Sequence, residues 1–225
     1  MKKSIILIKL FFSIILNSKG KYAFIRTIRE NANVLDVGCG NDSPYITKTI
    51  RKDIHYVGLD IETYHQSSVS FEAADDFIFA KPLKFHEKID DFPDNFDAII
   101  CSHNLEHCHD YASVTNSMLN SLHKGGTIYI SFPCEESVNF PSRAGCLNFY
   151  DDPTHKNVIN YNYYINHLNK MGLKIQFSRK RYRPIIPFLI GLLYEPFGYI
   201  FNKQAPAGGT WALYGFETII IAKKI

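Results

Sequence analysis

Asn33-Val34-Leu35-Asp36-Val37-Gly38-Cys39-Gly40-Asn41-Asp42-Ser43-Pro44 reads as a short buried strand, a glycine-rich turn and the start of a helix. The strand ends beside an acid, and two glycines spaced by one residue follow. Gly38 and Gly40 lack the Cβ atoms that would hold a ligand away from the backbone, and both tolerate positive φ. A second apolar run, His55-Tyr56-Val57-Gly58-Leu59-Asp60, also ends in an acid, 22 positions after Gly38. An acid about 20 residues beyond a glycine turn is where an α/β nucleotide-binding fold hydrogen-bonds a ribose.

The same residues exclude two ligand classes. A dinucleotide fingerprint needs glycine or alanine at Ser43, and a phosphate-binding loop needs Gly-Lys-Ser/Thr, which is absent. Asp36-x-Gly38-x-Gly40 resembles motif I of class I S-adenosylmethionine-dependent methyltransferases. Asn41, Asp42 and Ser43 stand where the third glycine of that motif is usual.

Two further stretches carry the resemblance. Asp91 to His107 joins a turn (Pro93-Asp94-Asn95), a buried strand (Phe96–Cys101) and a polar loop, Ser102-His103-Asn104-Leu105-Glu106-His107. Lys124-Gly125-Gly126-Thr127 to Pro133 is similar to the family's double-glycine turn and fifth strand. The resemblance covers roughly residues 31–178 together with a last strand at Phe216–Ala222. It implies a Rossmann-like α/β fold: a seven-stranded, mostly parallel sheet with helices on both faces and an antiparallel last strand.

Between these motifs the pattern predicts helices at Lys21–Glu30, Pro44–Arg51, Asp110–Leu122 and Tyr161–Met171. Strands are expected at Val34–Val37, Tyr56–Leu59, Val69–Ala73 and Leu173–Phe177. No acid after the third strand is assigned, with Asp75, Asp76 and Asp90 as candidates. The prolines and glycines of 184–201 argue against one continuous helix there. The whole chain, 1–225, is expected to form a single methyltransferase domain. Residues 1–30 are a helical segment and 31–133 the cofactor-binding core. Residues 134–160 and 181–209 are insertions on the substrate side.

Composition sets outer bounds. A hydrophobic content of 46% and a charged content of 21% belong to a globular chain. The net charge of +3 comes from scattered basic residues, which leaves no footprint for nucleic acid. Five cysteines without a C-x-x-C read as reduced thiols, and with the implied cofactor they place the protein in the cytoplasm. Residues 5–16 are apolar, and Lys9, Ser13 and Asn17 recur every four residues, as in an amphipathic helix with one narrow polar stripe. That helix either docks on the domain or lies in a membrane interface. Peripheral contact with the inner membrane through 1–17 and 184–201, or a homodimer contact, is the partner expectation beside a small-molecule acceptor.

The resemblance implies S-adenosyl-L-methionine as cofactor. Asp60 is expected to take the ribose hydroxyls, and Asp36 to anchor the turn and the methionine end. Gly38, Cys39 and Gly40 line the loop, Ile61 packs on the adenine, and Ser102 and His103 face the methionine half. Methyl transfer from a sulfonium needs alignment and a dry site, and a hydroxyl acceptor also needs a base. His107, His109, Asp110 and His155 are the candidates. His155, in Asp152-Pro153-Thr154-His155, is the first choice and His107 the second. The implied activity is O-methylation of a small molecule, such as a sugar, phosphoryl or lipid-linked unit of a bacterial surface glycan. The alternative is a non-catalytic or regulatory S-adenosylmethionine-binding protein.

His103-Asn104-Leu105-Glu106-His107 also matches H-x-x-E-H, a zinc-hydrolase spacing. The match begins in the loop directly after a strand, and the family resemblance accounts for Leu105-Glu106-His107 independently. No metal is therefore assigned, and a zinc hydrolase through His103 and His107 stands only as the alternative that metal analysis would revive.

Overall fold

A computed structural model describes residues 16–225. The expected N-terminal amphipathic helix falls, apart from its last residues 16 and 17, outside the described ones. Seven strands form one sheet: β1 (Asn33–Val37), β2 (His55–Asp60), β3 (Asp76–Phe79), β4 (Phe96–Ser102), β5 (Leu122–Pro133), β6 (Leu173–Arg179) and β7 (Glu217–Lys224). Their order is β3-β2-β1-β4-β5-β7-β6. β7 runs antiparallel to both β5 and β6, and the other pairings are parallel.

β1 and β4 are near-continuous apolar runs because both their faces are covered. Alternate residues divide the core. Leu35, Val37, Ile99, Cys101, Ile128 and Ile130 pack on one face, beneath α4 (Phe85–Asp90), α5 (Tyr111–Ser121) and α6 (Tyr161–Lys170). Val34, Ala98, Ile100 and Tyr129 pack on the other, against Phe24, Ile25 and Ile28 around α1 (Lys21–Thr27). From β1 the chain moves outward to β2 and β3, then returns to β4 on the opposite side. That reversal opens a crevice at the carboxyl ends of β1 and β4. The register aligns Val37 with Leu59 on one side and Cys101 on the other, so the three loops that follow meet there.

Two expectations are corrected. Ser68–Ala73 is a helix, α3, and not the third strand. The Ser67 side chain accepts a hydrogen bond from Ser70 N–H, an N-cap that starts a helix despite the alternating Val69, Phe71 and Ala73. The third strand is Asp76–Phe79. Asp75 and Asp76 therefore stand at its amino end, remote from the crevice, and Asp90 closes α4. Residues 185–201 form one helix, α7 (Ile185–Phe201), with Pro196 inside it. Pro187 falls in the first turn, where its missing N–H costs nothing. Gly191 lets the backbone of Gly209, in α8 (Gly209–Tyr214), approach directly.

Candidate active site

The glycine turn is held from below. Asp36 is fully buried, and its carboxylate accepts from Lys21 Nζ (3.1 Å), Ser43 Oγ (2.5 Å) and Tyr56 Oη (2.8 Å). This joins α1, β1, β2 and the first turn of α2 (Ser43–Ile50) around one carboxylate. Gly38 has φ +74°, and a Cβ there would strike the Asn104 side chain from the loop after β4. A Cβ on Gly40 would lie 2.9 Å from the Tyr64 ring. In both places the space that a side chain would take is filled by a neighbour within the protein. Asn41 and Asp42 both have φ +56°, so residues tolerant of the left-handed region supply the turn where a further glycine is usual. The backbone groups of Cys39 are engaged. Its thiol is buried with Gly58 packed on the sulfur, its N–H points to the Leu59 carbonyl, and its own carbonyl accepts from Gln66 Nε2.

Asp60 ends β2 on the crevice and is 8% exposed. One carboxylate oxygen accepts from Ile61 N–H at 2.7 Å. Burial is the main cause that raises its pKa to about 6. Ile61 beside it is half-exposed, an apolar surface open to a flat ring. The next residues fold back onto the glycine turn: Tyr64 O accepts from Asn41 N–H, His65 Nδ1 meets Asn41 Oδ1, and Asp42 accepts from Ser67.

The loop after β4 carries the ionisable groups. Ser102 bonds to Ser131. His103 adopts φ +51° and lies between two carboxylates, with Nδ1 3.2 Å from Glu106 Oε1 and Nε2 3.2 Å from Glu217 Oε1. Burial works against the charged ring, but the bonds to Glu106 and Glu217 outweigh it and raise the pKa to about 10. His103 is therefore an imidazolium at neutral pH. Both its nitrogens are occupied and the 103–107 segment is not helical, so the H-x-x-E-H spacing does not place His103 and His107 on a common ion.

His107 and His155 meet, with ring centroids 4.7 Å apart. His155 Nδ1 donates to Phe149 O at 2.6 Å, because a carbonyl only accepts. Thr154 Oγ1 donates to Asp152 Oδ1 at 2.6 Å, and its one proton is then spent. Towards His107 Nδ1, 2.8 Å away, it accepts. Both rings thus carry their proton on Nδ1 and present a lone pair at Nε2. Burial lowers the His107 pKa, which keeps that ring neutral near pH 7. His109 and Asp110 lie apart from this pair: both are exposed, and Asp110 caps α5.

Residues 134–160 and the α7–α8 hairpin are stitched together beside this pair. Buried Arg143 pairs with Glu195 at 2.7 Å, and Glu195 also accepts from Tyr214 Oη. Trp211 Nε1 donates to Cys146 O, and the Trp211 ring packs 5.3 Å from His103.

Residues 16–188 match the model of a methyltransferase domain family. The chain belongs to that family. A relative from Methanocaldococcus jannaschii, described as uncharacterized, is 33% identical over 100 residues, which is 44% of this chain and 27% of that protein. The chain thus spans about a quarter of the length of the curated relative it matches. Among solved structures, an S-adenosylmethionine-dependent methyltransferase from Archaeoglobus fulgidus superposes with a TM-score of 0.57 at 17% identity, covering 96% of this chain and 94% of that one. One from Mesorhizobium loti gives 0.59 at 13% identity, covering 93% and 100%. At these identities they establish a shared fold.

Membership in the methyltransferase family implies S-adenosylmethionine as the cofactor. The chain fits it: a partly buried carboxylate ends β2, a half-exposed isoleucine follows, and the glycine turn lies across the crevice. Sequence reasoning missed Lys21, Glu106, Glu217 and Thr154 as site residues. Lys21 and Glu217 come from opposite ends of the chain and have no local signal. Thr154 was visible within Asp152-Pro153-Thr154-His155, but its hydrogen bond to His107 was not.

Proposed function

We propose that the protein methylates an oxygen of a small molecule with S-adenosylmethionine. The observation that carries this reading is that Asp60 and the His107–His155 pair all stand on loops at the carboxyl ends of one sheet. The cofactor supplies an activated methyl group on a sulfonium. Asp60 would hold the ribose hydroxyls, and Ile61 one face of the adenine. Asp36 would act through the turn, which it fixes with Lys21, Ser43 and Tyr56. His107 is the better placed base. Its Nε2 has no hydrogen-bond partner among the described residues, and the Asp152–Thr154 chain behind Nδ1 would stabilise the imidazolium formed when the acceptor loses its proton. His155 then orients the acceptor.

In this reading 1–225 works as one methyltransferase domain, with 31–133 holding the cofactor and 134–160 and 181–209 roofing the acceptor. No helix among the described residues is long and apolar enough to cross a membrane. Leu189, Leu193, Phe197 and Ile200 of α7 are nonetheless exposed, which supports a lipid-linked acceptor, such as a surface-glycan unit, met at the cytoplasmic face of the inner membrane. Pelleting of the protein with anionic liposomes, reduced by Leu193→Asp with Phe197→Asp, would agree. A concentration-dependent dimer without pelleting would assign the face to a second copy.

Calorimetric titration with S-adenosylmethionine tests the core of the reading. Micromolar binding is expected, with a loss of at least 100-fold in Asp60→Ala, since hydrogen bonds to a charged group contribute roughly 1.5–3 kcal/mol each. No binding by folded wild-type protein would overturn it. Binding with no turnover across hydroxyl acceptors would favour a regulatory binding protein.

A further inference from the structure

We propose that Glu106, His107 and His155 together hold one divalent transition-metal ion on the acceptor side of the site. Any role of that ion in methyl transfer rests on the function proposed above, but its binding does not. One ligating atom from each of the three side chains lies within 4.8 Å of the other two. A tetrahedral ion with bonds of 2.0–2.1 Å sets its ligands about 3.3 Å apart, so side-chain shifts of at most about 1.5 Å would close the site. Cys146 and Asp152 each bring an atom within the same distance of His155.

Glu106 is the independent observation. Its side chain is 1% exposed, and Oε2 has no hydrogen-bond partner among the described residues. A buried carboxylate oxygen left unpaired is costly, and a cation would satisfy it. The backbone around it is fixed, because Glu106 O accepts from both Lys156 N–H and Asn157 N–H.

Each ligand also has the outer partner that metal-binding side chains need. His155 donates Nδ1–H to Phe149 O. His107 donates Nδ1–H to Thr154, which donates to Asp152. Glu106 Oε1 is held by His103. Both rings are thereby held in the tautomer with an unprotonated Nε2, that of His155 lying 3.9 Å from Asp152 Oδ2. Two imidazoles and a carboxylate suit zinc, cobalt, iron or manganese and are a poor set for magnesium or calcium. Such an ion would polarise the acceptor hydroxyl. With His107 on the ion, the metal would take over the role of base proposed for that ring: the hydroxyl proton would leave to solvent as the O–C bond forms and the C–S bond breaks, and the sulfur would depart as a neutral thioether.

The test is titration of the full-length, chelator-treated protein with Co(II) followed by visible absorption, and with Zn(II) against a competing chelator. One ion per chain is expected. His107→Ala and His155→Ala should each weaken it at least 100-fold, and Thr154→Val, which removes only an outer partner, by 10–100-fold. Circular dichroism would confirm that these variants fold. Absence of stoichiometric binding, or binding unchanged in both histidine variants, would overturn the inference. Calorimetry with S-adenosylmethionine on the same metal-free samples separates the two readings: loss of the ion leaves cofactor binding intact, and a chain that binds the ion but no cofactor sinks only the methyltransferase function.

Discussion

Around the glycine turn, backbone groups carry a run of contacts: Gly38 N–H to Leu59 O, Asn41 N–H to Tyr64 O, Ile61 N–H to the Asp60 carboxylate. Around 134–160 and the α7–α8 hairpin, long side chains reach across the chain: Arg143 to Glu195, Trp211 to Cys146, His103 to Glu217. The first construction needs small residues at fixed positions and tolerates little change there. The second needs complementary pairs and lets the surrounding residues vary.

The comparison breaks most sharply at Gly38. Gly38→Val places a β-branched residue at φ +74° and drives its side chain into Asn104. Left-handed strain of about 1–2 kcal/mol and overpacking of about 1–3 kcal/mol add to roughly 2–5 kcal/mol. Chemical denaturation should show that loss, and calorimetry should show no cofactor binding. Asn104→Ala in the same chain should return the packing part alone. Full recovery would mean that the backbone conformation contributes nothing.

Arg143→Ala probes the other construction. It leaves Glu195 facing Tyr214 without its cation, and breaking a buried pair costs about 3 kcal/mol. The expected result is a lower melting temperature and early proteolysis within α7, with cofactor affinity changed less than about threefold. Equal loss of cofactor binding would show that the two ends are one cooperative unit.

The division also explains what could be read from residues alone. β1 and β2 announce themselves as apolar runs that end beside a glycine and an acid, β4 and β5 as apolar runs entered from the Pro93-Asp94-Asn95 turn and the Gly125-Gly126 pair, and Asp60 is placed by spacing. Val69–Ala73 misleads because alternation there is overruled by the Ser67 cap. The continuity of α7 was hidden because Pro187 is harmless in a first turn and Gly191 serves the contact with Gly209. The carboxylate of Glu217 meets His103 across 114 residues, about half the chain, so no local pattern carries it.

His103 sharpens the comparison through pH. Its pKa is about 10 in the folded protein against an ordinary 6.5. The folded state therefore holds a proton that the unfolded chain has released between those values. The stabilisation is complete below pH 6.5, shrinks as pH rises, and is gone above pH 10. The ring is a quarter exposed, so the loss is on the order of 2 kcal/mol. The difference in unfolding free energy between wild type and His103→Gln should narrow from pH 7 to pH 10.5. A constant difference would mean that the ring is neutral.

The smallest effect is expected at the turn's departure from the usual glycine pattern. Asn41→Gly relieves a left-handed residue and removes the exposed contact between Asn41 Oδ1 and His65. Asparagine tolerates this region better than most residues, and an exposed hydrogen bond contributes little, so the two terms nearly cancel. Stability should change by less than about 1 kcal/mol, and cofactor affinity by less than about threefold, because the Asn41 N–H still bonds to Tyr64 O. The position then behaves like the roof, where side chains are exchangeable, although it lies inside the glycine turn. A large gain in cofactor affinity would instead mean that Asn41 and His65 hold residues 61–67 closed over Gly40, and that opening them limits entry.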